Sequence, residues 1–187
     1  MPPIEELPEP WRAFFFELDD LLTEEVQLHC CGGFVVTRTY GVARATSDVD
    51  FLGVVPSVWR NLTEIAGEGS ALHKKHKIYL HAVTIATPPE NYVERLVPIY
   101  TGAWRRLRLF ALEAHDLALS KLEGNRERDR DDVLRLARAG YPKPDILKER
   151  YYSELRPYLP SNEAQHDLTL ELWLELVSAI QTGHSSR

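Results

Sequence analysis

The stretch GGFVVTRTYGVARATSDVDFLGVV, residues 32–55, carries two signals whose order decides the fold. Its second half, DVDFLGVV from Asp48 to Val55, is β-branched and apolar enough to predict a central strand, ended by Pro56. Asp48 and Asp50 stand two apart on that strand, so both carboxylates project from the same face. Two like charges held that close repel unless a cation neutralises them, and hard carboxylate oxygens are what Mg²⁺ accepts. Taken alone, the pair reads as a solvated strand end. The first half changes the reading. VQLHCC, residues 26–31, predicts a short buried strand; Gly32-Gly33 makes a tight turn; FVVTRTY reads as helical, with Gly41 as a stop. A glycine pair between strand and helix lets the backbone approach a phosphate and aims amide N–H groups at it. A phosphate cradle thus precedes a metal pair.

Working outward, Trp11, Phe14, Phe15, Leu18, Leu21 and Leu22 fall at helical spacing and predict an amphipathic helix up to about Val26, its aromatic stripe in the core. Beyond the Asp48 strand, Ser57 is placed to cap a helix through about Ala66. HKKHKIYLHAVTIA, residues 73–86, reads as a basic loop and then a strand closed by Pro88-Pro89. A run from Arg106 to Ala111 alternates as a strand and passes into a helix from about Glu113 to Leu122. From there the chain reads as wholly helical, with helices near 129–139, 144–158 and 162–180. Strands mixed with helices, then helices only, predict an α+β fold: residues 1–112 form the mixed-sheet core and residues 113–187 a C-terminal helical lobe, the two together one compact unit.

The bulk properties are those of a globular protein: 44% hydrophobic and 27% charged residues over 187 positions. No apolar run approaches the ~20 residues that cross a bilayer. The start, MPPIEELPEP, lacks the basic and apolar regions of a signal peptide, so the cytoplasm is the expected location and no membrane partner is expected. Cys30 and Cys31 are adjacent, which suits neither a structural staple nor a zinc knuckle; they read as small buried hydrophobes. The net charge of −6 means that a nucleic-acid partner must be held by a local basic patch.

Gly32-Gly33 followed by Arg44, Thr46, Asp48 and Asp50 resembles the signature of the minimal nucleotidyltransferase superfamily, and within it the branch that includes bacterial AbiEii-type nucleotidyltransferase toxins and related uncharacterised families. A second block, HDLALSKLEGNRERDRDD at 115–132, is similar to that branch's second element, with Asp116, Lys121, Arg126, Asp129 and Asp132 at the matching places. The resemblance implies a nucleoside triphosphate bound between the glycine pair and the acidic strand, Mg²⁺ or Mn²⁺ on Asp48 and Asp50, and Lys121 reaching in from the helical side, which completes the active-site cleft. Asp48, Asp50 and Lys121 are then catalytic. Arg44, Thr46, Ser47, Asp129 and Asp132 join Gly32 and Gly33 in binding the nucleotide. Plainer readings stand beside these: Lys121 as a lysine late on a helix, Arg126 to Asp132 as a solvated charge run with Asp129 as cap, and Arg44, Thr46 and Ser47 as loop-shaping residues.

One departure from the family pattern concerns the third carboxylate that active members bring from a neighbouring strand. KIYLHAVTIA has none, and His81 occupies the place where it belongs. Imidazole is a poor ligand for Mg²⁺ but acceptable to Mn²⁺ or useful as a general base, and the plainer reading of His81 is an ordinary strand histidine. Glu94 and Asp116 are other sources of an oxygen. The resemblance further implies transfer of a nucleotide to RNA, in particular the 3′ end of tRNA, by a toxin with a cognate antitoxin. Basic residues His73 to Lys77, and Arg105, Arg106 and Arg108, are candidate RNA contacts. The apolar helix carrying Leu168, Leu170, Leu172, Trp173, Leu174, Leu176 and Val177 is a candidate for core packing, or for a dimer or antitoxin contact. The alternative of another class is a non-catalytic member that binds a nucleotide or a partner without transferring anything.

Overall fold

The computed structural model describes residues 6–43, 45–52, 56–83, 86–160 and 162–184. They form two compact units, one of Met1–Thr39, Ala43–Thr84 and Leu96–Leu112, the other of Tyr40–Val42, Ile85–Arg95 and Glu113–Arg187. The class is α+β, as the order of elements predicts.

In the first unit, β1 (Val26–Cys31), β2 (Asp48–Leu52), β3 (Tyr79–Val83), β4 (Val97–Ile99) and β5 (Leu107–Ala111) make one mixed sheet in the order β3-β2-β1-β5-β4. β1 runs antiparallel to β2 and parallel to β5; β2 and β3 are parallel; β4 and β5 are antiparallel. The strand bearing the aspartates is therefore paired on both sides, with Val49 and Phe51 buried and Asp48 and Asp50 on the opposite face. Its expected extension through Gly53, Val54 and Val55 lies outside the described residues.

The core explains how the site is held. α1 (Trp11–Leu21) buries Trp11, Phe14, Phe15 and Leu18. Phe34 of α2 (Gly32–Arg38) inserts against that stripe, its ring centroid 5.2 Å from Trp11 and 5.7 Å from Phe15. Rings at such separations in tilted or edge contact add to the apolar burial, so α2 is clamped at its first turn, beside Gly32. α1 stops short of the expected Val26: the backbone of Leu22 is already extended, Leu21 is half-exposed, and Val26 opens β1. Cys30 and Cys31 are buried thiols, as expected of small strand hydrophobes.

α3 (Pro56–Ala66) begins at the proline itself, whose fixed φ suits a first helical position, so Ser57 lies inside the helix and its side chain outside the description. The basic segment expected as a loop is instead a helix, α4 (Ala71–His76): Ser70 Oγ accepts the His73 N–H at 3.1 Å as N-cap, and Lys77 closes the other end in the left-handed region at φ 60°. Four basic residues in its last turn suit the negative end of the helix dipole. β4 was not expected, because Pro98 weakens the strand signal; as an outer strand β4 tolerates it.

The second unit is helical around a core of Leu119, Leu122, Leu147, Tyr151, Leu155 and Trp173 among others. α5 (Ala114–Leu119) is capped by the Glu113 side chain and ends before the expected Leu122, which leaves Lys121 in the turn beyond it. α6 (Glu127–Arg138) follows. The single helix expected over 144–158 is broken up: α7 (Pro144–Arg150) passes into a π-helical turn, Tyr151–Leu155, and a 3₁₀ turn, Arg156–Tyr158, where Pro157 supplies no N–H. α8 (Glu163–His184) buries Leu170, Trp173 and Val177 while Leu168, Leu172 and Leu176 remain about half-exposed. No helix among the described residues is long and apolar enough to cross a membrane.

Candidate metal and nucleotide site

Register assembles the site. Asp50 of β2 lies between Cys31 of β1 and His81 of β3, and Asp48 lies opposite Tyr79. The imidazole is thus brought to the carboxylate by strand pairing alone, at the position the sequence marks as lacking an acid. His81 Nδ1 stands 2.8 Å from Asp50 Oδ1. One ligand atom each from Asp48, Asp50 and His81 fall within 4.8 Å of one another, so the three could hold a metal ion.

The carboxylates are individually aimed. Thr46 Oγ1 donates to Asp48 Oδ1 at 2.6 Å, a short charge-assisted bond that fixes one oxygen and leaves the other for a ligand. Asp50 is fixed by shape. Gly32 sits against it with φ +66°, and a Cβ built on Gly32 would lie 1.9 Å from Asp50 Oδ2. A glycine is required there twice over, for the left-handed backbone and for the space the carboxylate fills. Beneath the site the Cys30 thiol is pushed well above its ordinary pKa by burial and by the charge of Asp50, so it stays protonated and offers no thiolate ligand.

Gly33 follows in α2, with its carbonyl accepting from Thr37 Oγ1 at 2.8 Å. The Ser47 carbonyl accepts the Tyr79 N–H at 3.2 Å and extends the β2–β3 pairing by one residue. Arg44 lies outside the described residues.

The residues of the second block all belong to the second unit. Lys121 Nζ donates to Asp132 at 2.9 Å and lies 3.6 Å from Asp129, with the Asp132 side chain 1% exposed. Asp129 also accepts the Arg126 N–H at 3.0 Å, so it caps α6 from its third position. Asp116 is fully buried between two guanidiniums: Arg95 donates to it at 2.8 and 3.1 Å and Arg150 at 3.0 Å. Arg95 also holds Glu154, and Arg150 also holds Glu113. Of this ionic cluster of Arg95, Asp116, Arg150, Glu113 and Glu154, only Asp116 stood out in the sequence, as part of the second block; the others carried no signal beyond their charges. Glu94 lies in the 3₁₀ turn Tyr92–Arg95.

Much of the basic surface considered for RNA is paired with acidic side chains inside the first unit. Lys75 and His76 meet Glu17 of α1 at 2.6 and 2.8 Å, Arg105 meets Asp20 at 2.7 Å, and Arg108 meets Glu25 at 3.0 Å.

The model of a family described as nucleotidyltransferase of unknown function (DUF6036) matches residues 14–179. The chain belongs to this family. No curated protein and no solved structure gives a significant match. The DUF6036 match runs through both units and takes in both sequence blocks, and the nucleotidyltransferase description fits the acidic pair on β2. The donor set fits a divalent cation as well, with two carboxylates fixed by Thr46 and Gly32 and a nitrogen at hydrogen-bond distance.

Proposed function

We propose that this protein is a metal-dependent nucleotidyltransferase that moves a nucleoside monophosphate from a nucleoside triphosphate to an acceptor hydroxyl. The observation that carries the reading is the convergence of Asp48, Asp50 and His81 beside Gly32 in a chain of this family. Asp48 and Asp50 hold Mg²⁺ or Mn²⁺, which when bound supplies charge neutralisation for the triphosphate and a template for the incoming hydroxyl. The protein's own part is positioning: Thr46 orients Asp48, the bare Cα of Gly32 admits Asp50, and the amides of Gly32 and Gly33 with Arg44 and Ser47 bind the phosphates. Lys121 is proposed as the cation for the departing pyrophosphate; within its own unit its ammonium is paired with Asp132 and Asp129.

The acceptor is proposed to be RNA, the 3′ end of tRNA in particular, and the protein the toxin of a toxin–antitoxin pair. This rests on the resemblance of both sequence blocks to AbiEii-type toxins and on exposed Lys74 and Lys77 at the end of α4. The half-exposed Leu168, Leu172 and Leu176 of α8 offer a face for an antitoxin or a second copy. Incubation with each radiolabelled nucleoside triphosphate, a divalent metal and total tRNA tests the reading. Label should appear on RNA, and should vanish in the Asp48→Ala/Asp50→Ala double variant.

A second reading is favoured by one observation: an imidazole, not a carboxylate, lies opposite Asp50. In that reading the protein is a non-catalytic module that binds a nucleotide or a partner. Metal-dependent nucleotide binding with no transfer to any acceptor would select it.

A further inference from the structure

We propose that His81 is the third metal ligand and that it makes the site selective for a transition-series divalent ion over Mg²⁺. The inference rests on the reading of Asp48 and Asp50 as metal ligands and adds what ion they hold. Three observations lead to it. First, the His81 side chain is 58% exposed, on the solvent-facing side of β3, so it is not a packing residue of the core. Among the described residues its side chain meets Asp50. Second, adjacent ligands of an octahedral ion bound at ~2.1 Å stand about 3 Å apart; His81 Nδ1 and Asp50 Oδ1 are already 2.8 Å apart. Closing the site on an ion therefore requires replacement of one hydrogen bond and little movement of backbone. Third, the parallel pairing of β2 with β3 sets Asp50 directly opposite His81, so the nitrogen is delivered by the sheet and not by a loop.

The chemistry of the donor decides the selectivity. Mg²⁺ is a hard ion that sheds water reluctantly and takes oxygen, whereas imidazole suits first-row transition ions. A site of two carboxylates and one imidazole therefore discriminates in favour of Mn²⁺ and its neighbours. An all-carboxylate site has no such preference built into its ligands. Cys30 and Cys31 do not extend the set, because neither falls within the ligand group.

The test uses the purified full chain and the metal alone. Binding of Mn²⁺ is followed by loss of the free-ion electron paramagnetic resonance signal, and Mg²⁺ is titrated in as competitor. Pulsed measurement on the bound ion reads hyperfine coupling to imidazole nitrogen. The wild type should bind Mn²⁺ with nitrogen coupling and resist Mg²⁺. His81→Ala should weaken Mn²⁺ by at least about tenfold, since even loss of a supporting contact costs that much. His81→Asp should abolish the coupling and shift the Mn²⁺/Mg²⁺ preference toward Mg²⁺ by a similar factor. Because His81 is exposed, the thermal melt of His81→Ala should match the wild type; His81→Asp, which adds a third negative charge beside Asp50, is compared with metal bound. Mn²⁺ bound through the aspartates without nitrogen coupling, or unchanged competition in His81→Asp, would overturn the proposal and leave the nucleotidyltransferase reading intact. No binding of either ion, in the wild type or in His81→Asp, would overturn both.

Discussion

Gly32 is the residue on which the site turns, and the reason differs from the one its sequence suggests. The glycine pair reads as a phosphate cradle; in the fold the first glycine also makes room for Asp50, whose carboxylate occupies the space of the missing side chain. Gly32→Ala should therefore do two things: strain a backbone at φ +66°, at about 1–2 kcal/mol, and displace Asp50, weakening Mn²⁺ binding by at least about tenfold. Gly41→Ala separates the two, because Gly41 has φ +68° and open space around its Cα. It should lower stability by a comparable amount and leave Mn²⁺ affinity unchanged. Equal metal binding in both variants would show that Asp50 does not depend on Gly32. The place of His81 near the acidic pair was legible through the family resemblance, which puts a third ligand on the neighbouring strand; its register opposite Asp50 is a fact of the fold. The contact of Gly32 with Asp50 was not legible, because it depends on the angle at which α2 leaves β1.

At the scale of elements, the sheet is tied to α1 by one side chain. Asp19 is buried and accepts three backbone N–H groups at the start of β5: Arg105 at 3.1 Å, Arg106 at 2.7 Å and Leu107 at 2.8 Å. Burial alone would raise its pKa, and the three amides outweigh that and hold it below its ordinary value. Asp19→Ala would leave those amides without their acceptor, for a loss of about 2–3 kcal/mol in urea unfolding; Asp20→Ala, an exposed neighbour paired with Arg105, should fall within about 0.5 kcal/mol. A loss of similar size in both would refute the tie. Periodicity found α1, β1, β2 and the helices of the second unit because their apolar residues repeat. It missed α4, whose start depends on the Ser70 cap and whose body, Ala71 to His76, has only Leu72 buried. It overran α1 and α5 for the opposite reason, since apolar residues continue past the point where the backbone has changed direction.

At the scale of the whole molecule, the second unit carries a charge cluster that makes it sensitive to acid. Burial of Glu113 opposes its ionisation, but hydrogen bonds and charge from His115 and Arg150 prevail and bring its pKa from 4.5 down to about 2. The unfolded chain therefore binds more protons than the folded one between those values. The stabilisation is fully present above pH 4.5 and is lost as the pH falls toward 2. Melts from pH 7 to pH 3 should show a fall in Tm beginning below about pH 5, and Glu113→Gln should flatten the part of that fall owed to this group. An unaltered acid limb in the variant would remove Glu113 from the account. By itself the sequence determined the α+β class, the acidic pair on one face of a strand, the glycine turn before it and the imidazole in place of a third acid. The first three follow from periods of two and 3.6 residues and from chemistry carried within short stretches; the place of the imidazole was read through the family resemblance. Only the tertiary structure decided that Gly32 accommodates Asp50, that Asp19 anchors β5, that Glu17 meets Lys75 and His76, and that Asp116 is enclosed by Arg95 and Arg150. Those partners are remote in the chain, and their meeting is set by how helices pack on the sheet and on one another within each unit, which no local pattern encodes.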